Sequence, residues 1–239
     1  MTARVYTIPV SHPAVAAVAM LRHKRIPHRR VKLMPGLHPP LVRLAGFERF
    51  TVPALELNGQ KVQGSREISR HLDAVHPDPP LFPADPEERS RVEEAERWGE
   101  LAFQPVPRRL FRYVMLTSED ARLWMARDVL HMPAPRRMAA LFLPVIRRLA
   151  ELSHANEAKV REALTGLPAQ LDEVDRLIAA GTIGGDLPNA ADFQVLSTVR
   201  VLLEFEELAE LMDGLASVPL ARRLYPQWPG PAPRGLPVS

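Results

Sequence analysis

Closely spaced prolines constrain this chain more than any other feature. Five of the 25 fall in residues 77–86, PDPPLFPADP, and five more in the last fifteen residues, YPQWPGPAPRGLPVS. A run of this kind cannot continue a helix or a central strand, because proline lacks the backbone donor and its ring fixes φ. Residues 77–86 are therefore expected to be an extended linker between a unit at 1–76 and another at 87–224. Residues 225–239 are expected to be a tail, either loose or ordered on contact.

The two units differ in pattern. Before the linker, Arg4–Ile8 and Val31–Leu33 are β-rich, and the alanine-rich run Ala14–Leu21 between them has the character of a helix packed on a sheet. Val52–Leu57 and Lys61–Gln63 flank Asn58-Gly59, a strong hairpin signal. Ser65 then opens a helix reaching Val75, with Ile68 and Leu72 on one face. The order β-α-β, loop, β-β-α describes a small α/β domain. After the linker strand signals nearly vanish, and Ala, Leu, Glu and Arg recur at helical spacing, broken by prolines at 105, 107, 133, 135, 144, 168 and 188. Five to seven helices are expected there.

The chain has no cysteine. That excludes disulfides, thiolate metal sites and any enzyme whose own nucleophile is a thiol. The formal charge of +3 is too small for a global nucleic-acid footprint. The basic segment RHKRIPHRRVK at 22–32 is expected to be a solvated face at a helix end. The histidines show no metal-ligand spacing, so no metal is expected. No apolar run is long enough to cross a membrane and no secretory leader is visible, so a cytoplasmic protein is expected.

Three features of the first unit suit the handling of a small thiol. Ser11 lies between the first strand and first helix, beside Pro13. Its hydroxyl can donate to a sulfur, and a helix N-terminus favours negative charge; both lower a bound thiol's pKa. The alternative for Ser11 is a plain helix cap. Val52-Pro53 stands at a strand start, where a cis bond would turn the Val52 backbone toward a peptide-like ligand and a trans bond would be ordinary. Gly64-Ser65 opens a helix whose amides and hydroxyl can hold a carboxylate or simply cap the helix.

These residues together resemble the glutathione S-transferases. YTIPVSHP is similar to the strand–serine–X–proline pattern of theta-like, serine-type members. HKRIPHRRVKL resembles the family's Lys-Gly-Ile-Pro stretch, TVPAL its Val-cis-Pro segment, and QGSREISRHL its acid-Ser-X-Ala-Ile motif. Asn189 to Asp192 in LPNAADF is chemically the family's capping box. The resemblance implies a thioredoxin-like α/β domain followed by an all-α domain, and a homodimer. It implies Ser11 as thiolate stabiliser, and Val52, Pro53, Gly64 and Ser65 around glutathione, with His38 at its glycine end. Glutathione would act as co-substrate, with no tightly bound cofactor, and the partner would be an apolar electrophile. Gln104 and Arg108 would stand in the electrophile pocket. Two positions depart from the family pattern: Gly64 replaces an acidic residue or glutamine, and Thr51 stands where many relatives carry a cation. Two other readings follow from these departures: a non-catalytic binding module of the same fold, or the same chemistry with another low-molecular-weight thiol. The segment 132–179 is longer than a compact relative needs, and its surplus helix is expected to cover or narrow the pocket.

Overall fold

The computed structural model describes residues 3–238; Met1 and Thr2 of the first unit and Ser239 of the tail lie outside the described residues. The first unit runs β1 (Ala3–Thr7), α1 (His12–His23), β2 (His28–Lys32), α2 (His38–Leu44), β3 (Ala54–Leu57), β4 (Gln60–Gln63) and α3 (Ser65–Val75). Its four strands lie in the order β2-β1-β3-β4, with β1 and β2 parallel and the other neighbours antiparallel. Parallel β1 and β2 need a crossover, and α1 supplies it. Asn58 and Gly59 both take positive φ, as the hairpin signal requires.

The loop expected between β2 and β3 contains a helix, α2. Pro39 and Pro40 look like breakers, yet they occupy its first turn, where a proline's missing N–H has no carbonyl partner to lose. The same effect raises the helix count of the second unit. It holds α4 (Pro86–Trp98), α5 (Pro105–Thr117), α6 (Glu119–Trp124), α7 (Pro135–Leu141) and α8 (Leu143–Leu152). It continues with α9 (Glu157–Ala179), α10 (Ala190–Leu202), α11 (Ala209–Met212) and α12 (Ser217–Leu224). That makes nine α-helices among the described residues, because Pro86, Pro105, Pro135 and Pro144 start helices rather than separate them. Pro168 does not break α9 at all, since burial of Val160, Leu167, Leu171 and Val174 holds the helix together through it. The architecture is a mixed α/β domain followed by an all-α domain. Among the described residues no helix is long and apolar enough to cross a membrane.

Two polar arrangements dock the units. The first is centred on Lys24, at the C-terminal end of α1, which is fully buried. Its ammonium bonds Asp73 Oδ1 at 2.7 Å and the carbonyls of His76 and Pro77 at 2.7 and 3.2 Å. The same Asp73 oxygen accepts the Leu81 amide, and the Leu81 carbonyl accepts the amide of Ala190, the first residue of α10. Basic segment 22–32 is thus not one solvated face: Lys24 is a buried tie, because an ammonium whose donors meet three oxygens needs no water. The second arrangement is the Glu96 carboxylate of α4, buried against α3, where it accepts from Ser69 and Arg70. Arg66, one turn earlier, pairs with Glu100 at 3.1 Å.

The capping box at the start of α10 is formed: Asn189 accepts the Ala191 and Asp192 amides while Asp192 accepts the Asn189 amide. The tail is ordered on contact. Ala232 donates to the Glu204 carbonyl, Arg234 forks onto Glu206, and the Gly235 and Leu236 amides share Glu207.

Lys24→Met should lower the unfolding free energy by about 3–5 kcal/mol, because it strands the Asp73 carboxylate against buried carbonyls. Urea denaturation measures this, and a loss below about 1 kcal/mol would show that the tie is dispensable.

Candidate functional site

Ser11 is the N-cap residue of α1, half-buried and extended, just after Val10 at positive φ. It does not cap with its side chain. Pro13 removes one of the two amides a capping hydroxyl can reach, and the hydroxyl does not bond the other, that of Ala14. Among the described residues the hydroxyl has no partner, and it stands at the positive end of a helix whose first turn carries no acid.

Around it the sheet end brings the other predicted residues together. The Val52–Pro53 peptide is cis, and the Pro53 carbonyl accepts the Gly64 amide at 3.0 Å. The backbone amide and carbonyl of Val52 have no partner among the described residues. Ser65 is the first residue of α3, buried, and Gly64 precedes it as N-cap with φ of 99°. Neither Gly64 nor Ser65 gives a side-chain cap, so the first amides of α3 are open.

Gly64 has a reason beyond its φ. A Cβ at this position would overlap the Glu67 carboxylate, with the Arg49 guanidinium 3.5 Å away. Glu67 and Arg49 pair at 3.4 Å, and Arg49 also donates to the Gln63 carbonyl. Gln63 in turn holds the loop, accepting the Arg49 amide and donating to the Arg49 and Thr51 carbonyls. An acid and a cation, Glu67 and Arg49, therefore stand beside Gly64. Motif alignment missed both, since each reaches the place through space rather than through its own register. The spacing of Glu67, three residues after Gly64 in the first helical turn, was the one available signal.

The opposite wall comes from the helical domain. Between α4 and α5 the ladder widens into a π-helical turn, Gly99–Phe103, and the Gln104 amide bonds the Gly99 carbonyl five residues back at 2.8 Å. Pro105 and Pro107 cause the change, because neither can donate to the α-ladder. The wall is thus α4 plus this turn. It brings the Gln104 backbone close to the ring of His12, the residue after Ser11. The Gln104 side chain accepts from Arg108 Nη2 at 2.7 Å. Buried His12 Nε2 and Gln104 Nε2 have no partners in the structure.

His38 opens α2, and its buried Nδ1 is likewise unpartnered. It faces Arg112 of α5. Arg108 and Arg112 are near enough to disfavour each other's charge; burial first, then Arg108, pushes Arg112 down to about 10, so it stays charged at neutral pH. Arg112 also donates to the Leu149 carbonyl of α8 at 3.2 Å. The surplus helix α8 lies over this end of the cleft, with Val145 so close to Gly36 that a Cβ there would clash. Trp98, Phe103 and Met115 belong mainly to the core, with Trp98 stacked on Phe103 at 5.2 Å. Among the described residues no three His, Asp or Glu side chains cluster as a metal site.

The sheet order, the cis-proline strand start and the helical domain docked on α1 together decide the comparison. Residues 5–80 match the glutathione S-transferase N-terminal domain. The chain has the glutathione S-transferase fold. Among solved glutathione-transferase-fold structures, it is similar to β-etherase LigF from Sphingobium sp. strain SYK-6, with a TM-score of 0.61, 16% identity and 83% of each chain covered. Poplar glutathione transferase F1 aligns with a TM-score of 0.61 at 17% identity over 92% of this chain and 90% of the other. A glutathione S-transferase from Xanthobacter autotrophicus Py2 aligns with 0.59 at 19% identity over 98% and 97%. No curated protein matches the chain in sequence.

Within the glutathione-transferase fold His12 is fixed in its neutral form. Burial, then Arg108, pushes its pKa from 6.5 down to about 3 against the opposing effect of the Gln104 backbone. The unfolded chain protonates His12 below pH 6.5 while the folded chain does not. His12 therefore costs nothing above 6.5 and removes about 1.4 kcal/mol of stability per pH unit from there toward pH 3. Urea titrations at several pH values should show His12→Gln losing less stability on acidification than the parent chain; parallel profiles would mean that His12 titrates normally.

Proposed function

We propose that the protein is a thiol transferase of the theta-like, serine type, in which Ser11 stabilises the thiolate of bound glutathione. The observation that carries this reading is the Ser11 hydroxyl at the N-terminus of α1, which makes no capping bond. The thiol proton leaves to solvent. The sulfur lone pair forms a bond to the electrophilic atom of the second substrate, and the bond to the leaving group breaks with its electron pair going to that group. The chain contributes a lowered thiol pKa and the holding of two reactants together.

The remaining contacts follow glutathione outward from sulfur. The free Val52 amide and carbonyl are placed to pair with its cysteinyl backbone. The open amides of α3 and the Ser65 hydroxyl suit the γ-glutamyl carboxylate. Glu67 would take the ammonium that Gly64 cannot, and Arg49 adds a cation at the same end. His38 and Arg112 border the cleft where the glycine end would lie. The presence of Glu67 favours an amino-acid-bearing thiol such as glutathione over a thiol lacking an ammonium group.

The electrophile's side of the cleft is more polar than an apolar-substrate reading requires. Gln104 and Arg108 stand there, Arg108 donating to the Gln104 side chain. Arg108 favours an electrophile whose leaving group departs as an anion. The same reading includes a homodimer, supported by exposed apolar side chains such as Phe50 and Leu101.

Ser11→Ala should lower turnover by about a hundredfold while leaving glutathione affinity within about twofold; conjugation assays with calorimetry measure both. Unchanged turnover would remove Ser11 from the mechanism, and absence of turnover with every thiol in the parent chain would favour a binding module. Glu67→Gln should weaken glutathione about tenfold without shifting the bound thiol's pKa, read from thiolate absorbance. An unchanged affinity would show that Glu67 serves only Arg49.

A further inference from the structure

A cavity of about 800 Å³ lies beside the turn that follows β1, and Ser11 is not among its lining residues. It runs along the flank of α1, from the Ile8–Val10 turn past Val15, Val18 and Arg22, and is closed by the edge strand β2 and the tail residues 225–229. Its lining contains Arg22, His23, Arg30 and Lys32 and no Asp or Glu. Arg22, Arg30 and Lys32 make no ion pair or hydrogen bond through their side chains among the described residues. Elsewhere in the chain, exposed arginines commonly find acids, as Arg89, Arg148 and Arg176 do. Burial and the neighbouring Arg22 both disfavour the charge of Arg30, so the two guanidinium groups are held together against their own repulsion.

Two further atoms point the same way. Thr7 is almost wholly buried, and among the described residues neither its Oγ1 nor the buried His23 Nε2 has a partner. Both residues line this cavity. Buried polar atoms without partners are uncommon in folded chains, and those here border an open volume ringed with positive charge. The lining also includes the aromatic residues Phe193, Tyr225 and Trp228. Trp228 is brought in by the tail and steadied by the Arg200 guanidinium 5.6 Å from its ring.

We propose that this cavity is a second binding site, distinct from the Ser11 cleft, for an aromatic phosphate monoester. The three unpaired cations match a group carrying two negative charges and several acceptor oxygens. The volume exceeds what inorganic phosphate fills, and the Trp228 side offers a face on which a ring can stack. The site needs no thiol and no catalytic step, so it stands whether or not Ser11 acts as proposed.

Calorimetry on the full chain with naphthyl phosphate, naphthol and inorganic phosphate tests this. Naphthyl phosphate should bind at least about tenfold more tightly than either of the others, and its affinity should fall with added salt. The Arg22→Gln/Arg30→Gln double variant should lose at least about tenfold in affinity. Trp228→Leu, a tail substitution remote from the sheet, should weaken naphthyl phosphate while leaving inorganic phosphate unchanged. Equal binding of naphthol and naphthyl phosphate would overturn the anion site. Equal binding of phosphate and naphthyl phosphate would overturn the aromatic part. No binding of naphthyl phosphate, or affinity unchanged in both variants, would overturn the site itself.

Discussion

The Lys24 ammonium organises more of this molecule than its single charge implies. It closes the end of α1 onto Asp73 of α3 and onto the chain leaving α3, and Asp73 passes the restraint to Leu81. Leu81 then holds the first residue of α10. Through that sequence of bonds the proline-rich segment becomes a fixed strut, and α10 is set against α1. Once α10 is fixed, so is the path of α4 and α5, and with it the distance between Ser11 and the helical wall. A buried cation is costly unless its donors are satisfied, and here each has an oxygen, which makes the arrangement specific as well as stable.

At one end of the cleft a missing side chain makes room for a neighbouring one. Gly64 is kept by its positive φ and by the Glu67 carboxylate that occupies the place of its missing side chain. Arg49 stands beside that carboxylate and pairs with it. On the other side, prolines at 105 and 107 force a π-helical turn that brings Gln104 and Arg108 to His12. Local sequence chemistry thus shapes both walls, one by omission of a side chain and one by omission of backbone donors.

Much of this was legible beforehand where the signal was local. The strand–helix order, the Asn58-Gly59 hairpin, the extent of α3 and the Asn189–Asp192 capping box depend on residues a few positions apart, and each has its own chemical signature. Helix α2 and the number of helices after the linker were misread for one reason. A proline in the first turn of a helix looks the same in sequence as one that ends it. The tail was half read: its prolines set an irregular path, but the ordering comes from Glu204, Glu206 and Glu207, which lie more than twenty residues away.

The sequence by itself determined the fold class, the absence of any protein thiol and the candidate positions at Ser11, Val52 and Ser65, because composition and short-range pattern suffice for those. Only the tertiary structure decided which polar groups are spent on the fold and which are left over. Lys24 and Arg22 are two residues apart in one basic run, yet one is wholly buried and bonded and the other lines a cavity without a partner. Ser11 and Asn189 both begin helices, and only Asn189 is committed to capping. Whether a donor or charge is satisfied depends on what the rest of the chain brings within hydrogen-bonding reach, and that is a property of three-dimensional packing rather than of residue order.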